Sequence, residues 1–258
     1  MQGLSKMEDW VDQPPIELWN VTAPLERLGG GFRNIVFHTV GLPQDLVFKS
    51  TRRSTAALEW LSVVQDFARA SGFIVPSFVR SRNGLLIESG WTCEEFLVGE
   101  PFAKEDLPSI LPEISRFHQL AATITQRPGF ASSEELTSLL AGGDIDLSTM
   151  PPELAELCRH AWREVSGLPA TAVHADLNAG NLLRCHDGRP ALLDWDECRR
   201  DLAIFDLGQL IAVRNLEQRA ILAWEVACSW NIEPDHAREV EKRLHSKDRE
   251  ITAKSRKS

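Results

Sequence analysis

The chain has 258 residues, enough for one large or two small domains with a substantial core, and its composition is that of an ordinary globular enzyme without a biased tract. A net charge of -9 argues against a general nucleic-acid binder, which would carry a basic face. Cys93, Cys158, Cys185, Cys198 and Cys228 show no C-x-x-C pair, the start lacks a signal core, and no apolar run reaches membrane-spanning length, so a cytoplasmic protein without disulfides, zinc site or membrane partner is expected.

Residues 1 to about 24 contain Pro14, Pro15 and Pro24 and read as a lead-in with a short helix at 16–19. The run from Leu25 to Phe37 is a strand, a glycine turn and a second strand. Gly29, Gly30 and Gly31 let backbone amides approach an anionic ligand, although a plain flexible hairpin would use the same run. Another strand, 45–49, ends at Lys49. A helix over 54–70 carries Leu58, Leu61, Val64 and Phe67 on one face, with Gly72 as its stop and Glu59 beside the apolar stripe. Strands at 73–79 and 85–89 would complete a five-stranded sheet, and Gly99-Glu-Pro101 marks the boundary to a second region.

From Pro101 the pattern is helical. An amphipathic helix spans 110–125, with His118 packed or hydrogen-bonded inside. Residues 128–150 read as a variable loop around a short helix, 152–165 as another helix, and 206–230 as a helix pair broken near Asn215. The end, from His245, is polar and basic and reads as a frayed helix and flexible tail.

The stretch His174-Ala-Asp-Leu-Asn-Ala-Gly-Asn-Leu-Leu carries the chemistry. Asp176 and Asn181 lie five positions apart on a loop that runs into an apolar strand. A second strand, 191–193, ends at Asp194, and the turn Asp187-Gly188-Arg189-Pro190 joins the two, so a hairpin brings Asn181 and Asp194 together. A carboxylate and an amide at a loop mouth suit Mg²⁺, a hard ion that takes oxygen ligands. Asp176 is then left to accept a proton, as phosphoryl transfer requires.

His174-Ala-Asp176-x-x-x-x-Asn181 followed by Asp194-Trp-Asp-Glu resembles the signature of the aminoglycoside phosphotransferase and choline kinase family, although that family usually has glycine where this chain has Ala175. The resemblance implies an α+β, protein-kinase-like two-lobe fold. A small antiparallel-sheet lobe would span 1–97, a mainly helical lobe 98–244, and a tail 245–258. It also implies that Asp176 is the catalytic base, that Asn181 and Asp194 bind Mg²⁺, that His174 braces the loop, and that Asp206 holds a structural position. Leu-Gly-Gly-Gly-Phe-Arg-Asn is similar to the family's glycine loop, which implies ATP phosphates under Gly29, Gly30 and Gly31 with Lys49 holding them. Glu59 would pair with Lys49, and Asp66 is the substitute. Cys93-Glu-Glu-Phe-Leu-Val-Gly-Glu-Pro resembles the family's hinge, so backbone groups of Glu95, Phe96 and Leu97 would read the adenine edge.

An ATP-dependent transfer to a hydroxyl of a small molecule is therefore expected. Only twelve positions separate Asp194 from Asp206, too few for the segment with which a protein kinase receives a peptide. Residues 98–238 hold 22 Asp and Glu against 12 Lys and Arg, which favours a cationic acceptor such as an aminoglycoside or amino alcohol. Residues 128–150 would contribute to the acceptor site. Two other readings are a catalytically silent nucleotide-binding protein and a hydrolytic metal centre on His174, Asp176, His186 and Asp194. The first would have been favoured by loss of Lys49, Asp176 or Asp194, and the second leaves the glycines and Lys49 without a role.

Overall fold

The computed structural model describes residues 13–29 and 33–255. They form two compact units: one holds the chain up to Arg52 together with Pro76–Phe96, and the other holds Arg53–Val75 and everything from Leu97 onward.

The first unit is an antiparallel sheet of four strands in the order β1 (Leu25–Leu28), β2 (Val36–Thr39), β3 (Leu46–Ser50) and β4 (Trp91–Glu95). Alternation along the strands sends Phe37, Phe48, Trp91 and Cys93 to one face, where they bury against Trp19. Burying each large side chain contributes about 1.5–3 kcal/mol. The register that pairs Val36 with Lys49 and Lys49 with Thr92 puts Lys49 on the opposite face. The sheet has four strands and not the expected five. Residues 73–79 make only isolated bridges, since Pro76 has no N–H for a ladder. Residues 85–89 lead into a tight turn, with Ser89 and Gly90 both at positive φ and Glu88 bonded in both directions to Trp91.

The second unit is mainly helical. Its first helix, α1 (Thr55–Ser71), starts at Ser54, whose side chain accepts the Ala57 amide, and stops at Gly72. Leu58, Leu61, Val64 and Ala68 form its buried stripe, and it packs along α2 (Leu111–Leu120). The helix expected in the N-terminal lobe thus belongs with the helical unit by its contacts.

Two residues, β5 (Glu100–Pro101), join the edge of the hairpin at 182–192 described below. Gly99 beside them is obligatory, because a Cβ there would lie 2.8 Å from the Arg184 carbonyl oxygen. Residues 128–150 contain a minimal hairpin, β6 (Ala141–Gly142) with β7 (Ile145–Asp146), and short 3-10 turns. Far from being a loose loop, this stretch contributes Ala131, Leu136, Ile145, Leu147 and Met150 to the core of the unit. That core also holds Trp162 of α3 (Pro152–Arg163).

Two short sheets follow: β8 (Ala170–Val173) with β11 (Arg199–Leu202), and β9 (Leu182–Arg184) with β10 (Pro190–Leu192). The chain then forms α4 (Ile204–Leu210), α5 (Asn215–Ser229) and α6 (Pro234–Ser255). The break between α4 and α5 falls where expected. The stretch from His245, expected as a frayed helix and flexible tail, continues α6 as helix to Ser255. Leu244 is buried there, and Arg219 of α5 is paired with Asp248 and with Glu164. Among the described residues no helix is long and apolar enough to cross a membrane.

Candidate active site

β8 ends just before His174, and the chain there is held from below by Asp206. The Asp206 carboxylate accepts the His174 amide at 2.9 Å, the Ala175 amide at 2.8 Å and His118 Nε2 at 2.9 Å. Asp206 lies in the first turn of α4 and is wholly buried. Burial works to raise its pKa, yet the His118 hydrogen bond, the electrostatic attraction of the His118 and His174 rings and the Ala175 amide outweigh it and hold the carboxyl below its ordinary value.

The His174 ring ties the loop to the second strand of the hairpin. Nε2 lies 2.8 Å from the Leu193 carbonyl oxygen, which can only accept, so Nε2 carries the proton. Nδ1 is then an acceptor and takes a long 3.4 Å bond from the Asp176 amide. Both ring nitrogens are thus committed, and His174 has none left for a metal.

Asp176 is gripped by two asparagines. Asn178 Nδ2 donates to Oδ1 at 2.9 Å and Asn181 Nδ2 donates to Oδ2 at 2.8 Å, while both amides also reach the Asp176 carbonyl. The carboxylate is therefore fixed in rotation. Asn178 Oδ1 accepts the Gly180 amide and caps the single 3-10 turn Ala179–Asn181 that leads into β9. With its nitrogen spent on Asp176, Asn181 keeps Oδ1 for another partner.

The β9–β10 hairpin pairs Leu182 with Leu192, and one step further the Leu193 amide donates to the Asn181 carbonyl at 2.9 Å. Asn181 and Asp194 therefore stand on adjoining strands at the open end, as the turn chemistry at 187–190 implies. Asp194 is exposed, with φ 53 in the left-handed region that Asp tolerates better than most residues. An amide oxygen and a carboxylate are both hard oxygen donors. Mg²⁺ is commonly held by one or two such side chains plus phosphate oxygens and water, so the donor set fits it.

The other expected residues fall as follows. Gly29 follows β1, and Gly30 and Gly31 lie outside the described residues. Lys49 is on β3 of the first unit, whereas Glu59 is exposed on α1 of the second. Asp66, the substitute for Glu59, is paired with Arg69 at 2.8 Å. The boundary between the units lies between Phe96 and Leu97, inside the stretch that resembles a hinge. Glu95 accepts the Ser77 amide on its carboxylate and donates its own N–H to the Ser77 carbonyl at 3.1 Å. Phe96 donates its N–H to the Asp45 carbonyl and accepts Gln44 on its own, so neither backbone group of Phe96 is open to a base without a rearrangement.

Two contributors were not apparent from the sequence. Asn178 sits within the motif and could have been suspected from its spacing to Gly180. Arg127, buried beneath the segment after Asp194, has no local signal at all.

Residues 24–238 match the phosphotransferase enzyme family. The chain belongs to that family. Solved structures share the fold of this phosphotransferase, at identities too low to speak for more than the fold. A microcompartment-associated aminopropanol kinase is 15% identical, with 92% of this chain and 96% of that one covered and a TM-score of 0.63. A thermostable mutant of aminoglycoside phosphotransferase APH(4)-Ia, in a ternary complex with ADP and hygromycin B, is 11% identical over 91% and 96%, with a TM-score of 0.60. Spectinomycin phosphotransferase APH(9)-Ia, in complex with ADP and spectinomycin, is 10% identical over 90% of each chain, with a TM-score of 0.57. No curated protein matches the chain. The α+β fold that the motif resemblance implies, with an antiparallel N-terminal sheet and a helical C-terminal part, is the fold of this phosphotransferase. Its Ala175, where the family usually has glycine, sits at φ 72, a conformation that costs a Cβ-bearing residue roughly 1–2 kcal/mol. The two amide bonds to Asp206 hold the loop in that strained form.

Proposed function

We propose that the protein transfers the γ-phosphate of ATP to a hydroxyl of a small molecule, with a cationic acceptor, aminoglycoside-like or an amino alcohol, as the favoured class. The observation that carries the reading is the single hydrogen-bonded constellation of Asp176, Asn181 and Leu193, which sets a fixed carboxylate next to an amide oxygen and Asp194. Support for the nucleotide comes from the ADP named with two of the related structures, and support for the acceptor from the spectinomycin, hygromycin B and aminopropanol named with them. The excess of 22 acidic over 12 basic residues between 98 and 238 agrees with a cationic acceptor.

In this reading Gly29, Gly30 and Gly31 offer amides to the triphosphate, Lys49 neutralises its non-bridging oxygens with Glu59 steadying the ammonium, and the backbone at Glu95 and Leu97 meets the base. The N–H groups of Phe96 and Glu95 contribute there only if their bonds to the Asp45 and Ser77 carbonyls are given up. Asn181 Oδ1 and Asp194 would hold Mg²⁺, which when bound supplies positive charge against the β- and γ-phosphate oxygens. Asp176 accepts the proton of the acceptor hydroxyl as that oxygen bonds to the γ-phosphorus. The bond from the γ-phosphorus to the β,γ-bridging oxygen breaks, and ADP leaves with that oxygen. Positioning carries most of the rate, and the base adds about 10²- to 10⁴-fold.

A panel of amino alcohols and aminoglycosides scored by ADP release tests the acceptor. Asp176→Asn is expected to abolish release while the melting shift given by Mg-ATP persists. Turnover retained in that variant would remove Asp176 from the mechanism.

A further inference from the structure

The segment between Asp194 and β11 forms no ladder or helix, only a turn in which the Cys198 amide donates to the Trp195 carbonyl at 3.2 Å, and Trp195 and Cys198 are buried. Arg127 supplies further donors. Its Nη1 reaches the carbonyl oxygens of Asp196 and Cys198, each at 2.9 Å, and that of Trp195 at 3.3 Å, while Nε donates to the Ala57 carbonyl at 3.3 Å. The guanidinium is 1% exposed and lies over the Phe130 ring at 4.3 Å. Next to it Gln126 bonds both the N–H and the C=O of Arg200, so the two residues fasten the segment at both ends.

A buried cation whose partners are all carbonyls is a costly way to hold a loop, since apolar packing would exact less desolvation, although the weakly hydrated guanidinium costs less to bury than an ammonium would. What the rigid plane provides is direction: the two hydrogens of Nη1, shared among three carbonyls, and the Nε hydrogen on Ala57 act in one plane while Nη2 makes no hydrogen bond, and this fixes the path of the chain that leaves Asp194 in its left-handed turn. We propose that Arg127 is a positioning residue for Asp194, holding that carboxylate in the orientation in which it shares a cation with Asn181. This inference rests on the metal-ligand reading of Asp194. The bond to Ala57 extends the same clamp to the first turn of α1, and Phe130 and Asp144 explain why residues 128–150 are so well packed. Asp144 pairs with Arg53 at 2.6 Å, and Arg53 stacks on the Phe130 ring that also lies under Arg127.

Mn²⁺ binding, followed by the loss of the free-ion electron paramagnetic resonance signal with a non-hydrolysable ATP analogue present, tests the inference apart from turnover. Arg127→Lys keeps the charge and loses the fork, and is expected to weaken Mn²⁺ binding about tenfold. In the activity assay the same change is expected to raise the Mg²⁺ requirement in parallel and leave the KM for the acceptor within about twofold. Arg219→Lys, in the buried α5–α6 pair, is the control: it should lower the melting temperature without moving Mn²⁺ affinity. Should Arg127→Lys not fold, Phe130→Leu withdraws the ring under the guanidinium and is expected to weaken binding about two- to threefold. Unchanged Mn²⁺ affinity in the folded Arg127 variant, or in Phe130→Leu where that variant stands in, overturns the assignment. Asp194→Ala separates the two levels of the argument, because Mn²⁺ binding retained there refutes the metal reading itself, whereas binding lost there and unchanged in Arg127→Lys refutes only the role of Arg127.

Discussion

Replacing Asp206 by asparagine changes one oxygen for an NH₂ and keeps the shape, so it isolates what the buried carboxylate does. Oδ2 serves both His118 and the His174 amide, and Oδ1 serves the Ala175 amide. If the asparagine oxygen takes the Oδ2 place, the Ala175 N–H faces another donor. If it takes the Oδ1 place, the His174 N–H does, while His118 can move its proton to Nδ1 and accept. Either way one buried backbone N–H is left without a partner, which costs about 1–3 kcal/mol. The remaining two bonds fall from charge-assisted to neutral strength, a further loss of about 1 kcal/mol each, partly offset because a carboxylate no longer has to be desolvated. The expected net loss is about 2–4 kcal/mol, and for a chain of this size that corresponds to a fall in Tm of roughly 5–15 °C. Urea unfolding followed by far-UV circular dichroism measures the first quantity and a thermal scan the second. A loss below about 1 kcal/mol would show that the loop is held by something other than Asp206.

Three further outcomes follow from the same structure. Asp206 has its carboxyl held below the ordinary value of 3.8, so its contribution is fully present above that pH and is lost as pH falls through the lower folded value. The stability gap between wild type and Asp206→Asn should accordingly narrow in acid; a gap that widens below pH ~4 would contradict the sign. Ala175→Gly should stabilise the protein by about 0.5–1 kcal/mol, because relief of the left-handed strain exceeds the added freedom of the unfolded chain. Equal or lower stability in urea would show that the loop is not strained. Burial pushes the thiols of Cys93, Cys158 and Cys198 up to about 12 and Cys228 is buried, so half-buried Cys185, whose thiol burial also raises, is the accessible one. A disulfide exchange reagent at pH ~8 should label one thiol in the native protein and all five after denaturation, and fast native labelling of two or more would disagree with the packing.

How far the sequence reaches is clearest at the hairpin. Apolar runs on either side of Asp187-Gly188 specify two paired strands, and since their register depends on the turn alone, the placement of Asn181 beside Asp194 is a local consequence. The α1 boundaries are local for the same reason, being written in Ser54 and Gly72. The extra strands expected at 73–79 and 85–89 were less legible, because apolar composition there competes with Pro76 and with a two-residue turn.

By itself, then, the chain determines which side chains stand on the loop at 174–181 and on the hairpin, because helix caps, turn residues and strand alternation act over a few positions. Only the tertiary structure decides what holds them there. His118 reaches Asp206 across 88 positions, Arg127 reaches Cys198 across 71, and Asp248 meets Arg219 across 29, which turns a polar end into an ordered helix. Such partners leave no periodic trace, since a buried hydrogen bond depends on where two distant backbones meet and not on the spacing of residues along either one.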